Sequence, residues 1–181
     1  KLQLGADYLD HLTQDVIFRT PGLRHDVPQL KAAVERGATL TSEMEVFFEV
    51  CPCPIIAVTG SDGKTTTTTI IAKLLEKAGY TVHLGGNIGN PLLCEADDMR
   101  VTDLTVLELS SFQLMTMTHS AHVAVITNLA PNHLDVHTDM EEYVASKENI
   151  FLHQWASDSV ILNYDNALTR AEAEKAVGNV Q

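Results

Sequence analysis

Residues Ile55 to Ala78 constrain the fold more than any other segment of the chain. Ile55-Ile56-Ala57-Val58 is an apolar run that reads as a buried strand. Thr59-Gly60-Ser61-Asp62-Gly63-Lys64-Thr65-Thr66 follows it. Across Thr67 to Ala78, the residues Ile70, Ile71, Leu74, Leu75 and Ala78 then recur at helical spacing. A strand, a glycine-containing turn and a helix make a phosphate cradle, because the free N–H groups and positive dipole end of the helix face an anion. Gly60 and Gly63 let the backbone bend and approach closely. Lys64 supplies positive charge, and the Thr65 hydroxyl is of the type that ligates Mg2+. The segment predicts that the protein handles ATP or GTP. Its spacing is unusual: the standard phosphate loop has four residues between its first glycine and the Gly-Lys pair, whereas only Ser61 and Asp62 stand between Gly60 and Gly63. The alternative is an ordinary strand-to-helix turn with a surface lysine.

The surroundings extend this pattern into an α/β fold. Thr81 to Leu84, Leu104 to Leu109, Val123 to Thr127 and Val160 to Leu162 read as further strands. Thr138 and Glu141 form a capping-box signature for a helix running to about Trp155. Near-continuous apolar strands alternating with helices predict a mostly parallel sheet covered on both faces. Upstream, Asp15 to Arg19 and Thr39 to Thr41 read as strands, and Pro28 to Arg36 as a helix with Pro28 in its first turn. Ser42 and Glu45 signal the start of another helix, through Phe47 and Phe48. Cys51-Pro52-Cys53-Pro54 cannot continue that helix, so a domain boundary is placed there, with residues 1–52 on one side and 53–181 on the other. Ala167 to Gln181 reads as a polar helix with little to pack against, and the chain opens as if a sheet were already under way. A fragment of a longer enzyme is expected.

Composition limits the partners. The net charge of −12 repels nucleic acid, and no Lys/Arg cluster offsets it. No run of about 18 apolar residues suggests a membrane span, and Lys1-Leu2-Gln3-Leu4-Gly5 lacks the features of a signal peptide. A cytoplasmic monomer is expected. The odd number of cysteines (Cys51, Cys53 and Cys94) suggests reduced thiols, and Cys51-Pro52-Cys53 lacks the second pair that a zinc site needs.

In a parallel sheet the strand carboxyl ends share one edge, where ligands bind. Four segments reach that edge: Gly60 to Thr66, Gly85 to Gly89, Glu108 to Gln113 and Asn128 to His137. Glu108 ends its strand beside the phosphate loop, which suits a Mg2+ ligand, against the alternative of a solvated strand-end carboxylate. His133-Leu134-Asp135-Val136-His137 invites a zinc reading, against a polar loop with one useful side chain. Lys147 lies one turn from Tyr143, Val144, Ile150 and Phe151, so it emerges beside an apolar stripe. A lysine there most often snorkels to water, and nothing in the spacing makes it catalytic.

At these residues the chain resembles the Mur ligase family, the ATP-dependent amide-bond-forming enzymes of peptidoglycan synthesis. The family's shortened loop stands here as Thr59 to Thr65. Gly85-Gly86-Asn87-Ile88-Gly89 and Glu108-Leu109-Ser110-Ser111-Phe112-Gln113-Leu114 resemble its members that add D-glutamate to UDP-N-acetylmuramoyl-L-alanine. The resemblance implies that residues 1–52 are part of a Rossmann-like, UDP-substrate-binding domain and that 53–181 are part of a P-loop-like central ATPase domain, with a C-terminal domain absent. Gly60, Ser61, Asp62, Gly63, Lys64, Thr65 and Thr66 would hold ATP. Thr65 and Glu108 would hold one Mg2+; His133 and Lys147, the latter carbamylated, would hold a second. Lys64, His133 and Lys147 would serve catalysis. Thr20, Pro21, Gly22, Asn87, Ser110 and His133 would face the UDP-sugar, and the reaction would pass through an acyl phosphate. Family members commonly carry Asn where Asp62 stands, Asp where Asn132 stands and Arg where Val136 stands, so polar contacts around His133 are expected to differ. The alternatives are another Mur or folylpolyglutamate-type ligase, a nucleotide-binding module without turnover, and an acidic interaction domain without a ligand.

Overall fold

The structure is a computed structural model and describes residues 2–132 and 136–181. Two parallel sheets form. The first pairs β1 (Val16–Phe18) with β2 (Thr39–Thr41), joined through α1 (Pro28–Glu35). The second has six strands in the order β4-β5-β3-β6-β7-β8: β3 is Ile55–Thr59, β4 Val82–Gly86, β5 Leu104–Glu108, β6 Val123–Ile126, β7 Ser159–Leu162 and β8 Asn179–Val180. Every pairing in it is parallel. The expected α/β class with a mostly parallel sheet is therefore observed.

Strand composition explains the placement. Along β3 and β5 nearly every residue is buried, because helices cover both faces of a parallel sheet. The core gathers Ile55, Ala57, Leu107, Ala124, Ile126 and Val160 from the strands, with Leu114, Ile150 and Phe151 packed on them. It also takes Met44 and Phe47 from α2 (Glu43–Val50), which lies upstream of Cys51-Pro52. Ser42 caps α2 as expected, its side chain accepting from the Glu45 N–H. After β3 the chain passes through α3 (Lys64–Lys77) to β4, two places away, while β6 lies on the other side of β3. The order thus reverses around β3, which is where open α/β sheets place their ligand crevice.

Three sequence expectations are corrected. The helix expected from Thr138 to about Trp155 is α5, Met140–Glu148, capped by Asp139, whose side chain accepts from the Glu142 N–H. It ends early because Ile150 and Phe151 donate to carbonyls three residues back, tightening the last turn, and Ile150 O then accepts from Ala121 N. Ala167 to Gln181 is not one helix: α6 (Ala167–Ala171) runs into a 3-10 turn, and the chain then extends into β8 on the edge of β7. On α3 the buried residues are Thr68 and Ala72, while Ile70 and Leu74 are 52% and 63% exposed. Small side chains let that face approach the sheet, so Ile70 and Leu74 turn outward while Ile71 and Leu75 are half-buried.

Candidate functional site

Three of the expected segments, Gly60 to Thr66, Gly85 to Gly89 and Glu108 to Gln113, meet at the carboxyl edge of the six-stranded sheet, and Asn128 and Ala130 of the fourth lie against the first. Gly60 leaves β3 with φ +149°, and a Cβ there would stand 2.0 Å from Thr127 Oγ1 and 3.1 Å from Asn128 O. Only glycine permits this approach of loop to loop. Gly63 caps α3 in the left-handed region. Ser61 is buried; its Oγ donates to Ala130 O at 2.8 Å and lies 3.0 Å from Tyr143 Oη. Its hydroxyl thus braces the neighbouring loop. Asp62 and Thr66 are exposed, and Asp62 N donates to Asn128 Oδ1 at 2.8 Å.

Lys64 folds back over the loop, donating to the carbonyls of Gly60 and Ser61 at 3.0 Å each. Thr65 Oγ1 donates to Glu108 Oε2 at 2.6 Å, and Asn87 Nδ2 donates to Glu108 Oε1 at 2.9 Å. Glu108 is buried, which rules out the solvated strand-end alternative. Gly86, with φ +93°, brings β4 so close to β5 that a Cβ would meet Glu108 O at 2.2 Å, and Asn87 N donates to that carbonyl at 2.7 Å. Ser110 caps α4 (Ser111–Leu114) in a reciprocal box with Gln113.

Lys147 departs from its expectation. It is 2% exposed, not snorkelling. Nζ donates to Gly60 O at 3.0 Å and Thr59 Oγ1 at 3.2 Å, and lies 4.7 Å from the centre of the Tyr143 ring. Thr59 passes the contact on by donating to Leu109 O at 2.8 Å. Burial, reinforced by the charge of Lys64, lowers the Lys147 ammonium to about 7. Lys64, Asn87, Ser110, Ser111, Phe112, Tyr143 and Lys147 line one cleft of about 170 Å3. A roomier cavity of about 560 Å3, bordered by His25, Lys31 and Thr41, lies away from this chemistry.

Thr20 and Pro21 border a separate cavity of about 310 Å3 with Arg19, Ser42 and Gln113, so the turn comes near α4. Arg19 secures it, donating to Thr116 Oγ1 at 3.2 Å and Leu23 O at 2.7 Å. His133 lies outside the described residues. His137 is buried; its Nε2 is 2.9 Å from Ser111 Oγ and its ring stacks on Phe112. Among the described residues no group of three or more His, Cys, Asp or Glu side chains is placed to hold a metal ion. The pair Thr65 and Glu108 nevertheless supplies hard oxygen donors of the kind Mg2+ takes when phosphates and water complete its shell.

Sequence reasoning missed Tyr143 and Arg24 as members of this edge, and the contact of Thr59 with Lys147. The only signal for Tyr143 was its place one turn before Lys147. Arg24 carried none, since its partner Glu142 is 118 positions away.

A glycine loop at a helix start, its lysine and a threonine–carboxylate pair are the parts from which phosphate sites in α/β proteins are built. A family model described as Mur ligase middle domain matches residues 58–180. The chain belongs to the Mur ligase family. It is 59% identical to a UDP-N-acetylmuramoylalanine–D-glutamate ligase of Acetivibrio thermocellus, over 99% of this chain and 39% of that protein. It is 56% identical to the same-named ligase of Ruminiclostridium cellulolyticum, over 98% of this chain and 38% of that protein. The chain thus spans well under half the length of these relatives. Among solved structures it resembles the UDP-N-acetylmuramate:L-alanyl-gamma-D-glutamyl-meso-diaminopimelate ligase of Neisseria meningitides, with a TM-score of 0.64 at 18% identity, covering 99% of this chain and 61% of that one. It also resembles a MurF ligase of Thermotoga maritima in complex with ADP, with a TM-score of 0.60 at 18% identity, covering 93% and 49%. These likenesses show the fold alone. No helix among the described residues is long and apolar enough to cross a membrane.

Proposed function

We propose that the full-length protein is an ATP-dependent ligase that joins D-glutamate to UDP-N-acetylmuramoyl-L-alanine, acting as a monomer in the cytoplasm. Lys64, Asn87 and the buried Lys147 line one cleft, and Asn87 joins it to the Thr65–Glu108 pair; this convergence carries the reading. The two same-named relatives, above 50% identical, supply the substrates. Residues 1–52 then form part of the UDP-substrate domain and 53–181 part of the ATPase domain.

The chemistry is phosphoryl transfer followed by amide formation. The terminal alanine carboxylate attacks the γ-phosphorus of ATP, and ADP leaves. The amine of D-glutamate attacks the acyl phosphate carbonyl; phosphate departs as the amide forms and its nitrogen loses a proton. Gly60 to Thr66, with the N–H groups opening α3, cradle the phosphates. Lys64 would exchange its carbonyl partners for the transferring phosphoryl group, whose charge is the main thing to stabilise. Thr65 and Glu108 would hold one Mg2+, which when bound neutralises phosphate charge. His133 and Lys147 would hold a second. Lys147 suits carbamylation because its amine is buried and turned toward the loop. A neutral amine adds carbon dioxide and loses a proton, which replaces a buried cation with an anionic oxygen ligand. Asn87, Ser110 and His133 would face the UDP-sugar, and Thr20-Pro21-Gly22 its diphosphate.

The test is phosphate release by the full-length protein with ATP and the UDP-linked substrate. It should require D-glutamate. Turnover with a different amino acid and none with D-glutamate would remove the substrate assignment. Unchanged ATP binding in Lys64→Ala would remove the loop's role.

A further inference from the structure

Arg24 follows the Thr20–Gly22 turn by two residues and uses all five of its guanidinium N–H groups. Nε and Nη2 donate to the two oxygens of Asp26, each at 2.9 Å. Nη1 and Nη2 donate to the two oxygens of Glu142 at 3.0 and 2.8 Å. Nη1 also donates to Val136 O at 2.8 Å. The planar fork matches two carboxylates at once, and Asp26, on the same side as Arg24, fixes its orientation. The arginine side chain is 22% exposed. Isolated exposed ion pairs contribute little, but a doubly bidentate network in partly buried surroundings is the exception.

What Arg24 grips gives the contact its meaning. Val136 stands three positions after His133 in the sequence, and Glu142 lies in the first turn of the helix that carries Tyr143 and Lys147. Glu142 also accepts from Thr138 N at 2.7 Å, closing the loop onto the helix. Its Oε2 is 3.6 Å from His137 Nδ1, and His137 in turn meets Ser111 of α4. One side chain from the turn segment therefore touches the loop, reaches α5 directly and α4 through His137.

We propose that Arg24 is a positioning residue, holding the turn that would take the UDP-linked substrate in register with residues 136–142 and the helix that bears Lys147. Every guanidinium donor is already used, so Arg24 acts through its neighbours and does not serve as a ligand for substrate phosphate. The proposal rests on the ligase reading, since it names the halves of that site.

The experiment uses the full-length protein with Arg24→Ala, Arg24→Lys and Glu142→Gln. In Arg24→Ala, kcat/KM for the UDP-linked substrate should fall by about 100-fold, the scale of a misaligned site. The KM for ATP should stay within about twofold, because Lys64, Thr65 and Glu108 make their bonds with none of the groups that Arg24 holds. Arg24→Lys should fail to restore activity, since one ammonium cannot span two carboxylates and a carbonyl. Amide hydrogen exchange across residues 136–142 should quicken in both Arg24 variants. Wild-type kcat/KM in a folded Arg24→Ala overturns the proposal. So does full rescue by lysine, an equal loss for ATP and the UDP-linked substrate, or unchanged exchange at 136–142. If the wild type itself fails to ligate D-glutamate, the ligase reading falls; the exchange measurement still shows whether Arg24 pins the loop.

Discussion

The edge of the six-stranded sheet and the two-stranded sheet are held by different means. At the edge, polar side chains are buried and paired: Glu108 takes Thr65 and Asn87, Ser61 takes Ala130 and Tyr143, and Lys147 takes Thr59 and Gly60. In β1 and β2 no residue is fully buried, and Val16 and Phe18 are 53% and 56% exposed. Leu30 and Ala33 of α1 supply the buried apolar contacts there. The side chains of Arg19 and Arg24 tie this region to Thr116, just after α4, and to Glu142 of α5. The edge is thus set by packing that tolerates little change, while the small sheet is set by a few charged contacts that can be removed one at a time.

The difference is most severely tested at Gly60. Gly60→Ala forces a Cβ into Thr127 and the Asn128 backbone at a left-handed φ, so a loss of about 3 kcal/mol or more is expected in chemical denaturation. Loss of under about 1 kcal/mol would show the loop to be more adaptable than its packing implies. Lys64→Ala should weaken ATP binding by about 100-fold in calorimetry, as expected for a charge-assisted phosphate contact, while leaving the fold intact. Lys147→Met should separate stability from function. It removes a buried ammonium while Gly60 O keeps its bond from Lys64. A gain of about 1–2 kcal/mol with loss of ligation is expected. A lower melting temperature would show that the ammonium stabilises the fold.

Acid should release the arginine-held region first. The Arg24 fork holds both Asp26 and Glu142 down at about 2, from 3.8 and 4.5. A depressed carboxylate contributes stability that is complete above its unfolded value and is lost as pH falls through its folded one. The contribution should therefore be whole above pH 4.5 and fade toward pH 2. Melting temperature should fall across that window more steeply in the wild type than in Arg24→Ala. Equal slopes would remove these pairs from the account. The smallest effect is expected at Phe18, where Phe18→Ser should change stability by less than about 0.5 kcal/mol; a large loss would mean that the small sheet has a core of its own.

Much of the edge was legible in the chain because its signals are local. Apolar strand, glycine turn and helix start stand in one short segment, and the Gly85–Gly89 and Glu108–Gln113 runs each follow a strand at a readable distance. A parallel sheet then requires such strand ends to share an edge. Ala167 to Gln181 misled because Ala and Glu favour helix locally, whereas the open edge of β7 rewards an extended segment. The stripe on α3 misled because periodicity names a face without naming which face the sheet accepts.

The sequence by itself determined the parallel α/β class, the glycine turn between strand and helix, and the place of Glu108 at a strand end beside that turn. Each depends on residues close in the chain or on strand ends that the topology must align. The tertiary structure alone decided that Lys147 is buried over Gly60, that Ser61 faces Tyr143 and not the loop's mouth, and that Arg24 reaches Glu142. Those outcomes depend on which helix face packs inward and on contacts between segments far apart in the chain, and neither is written into local spacing.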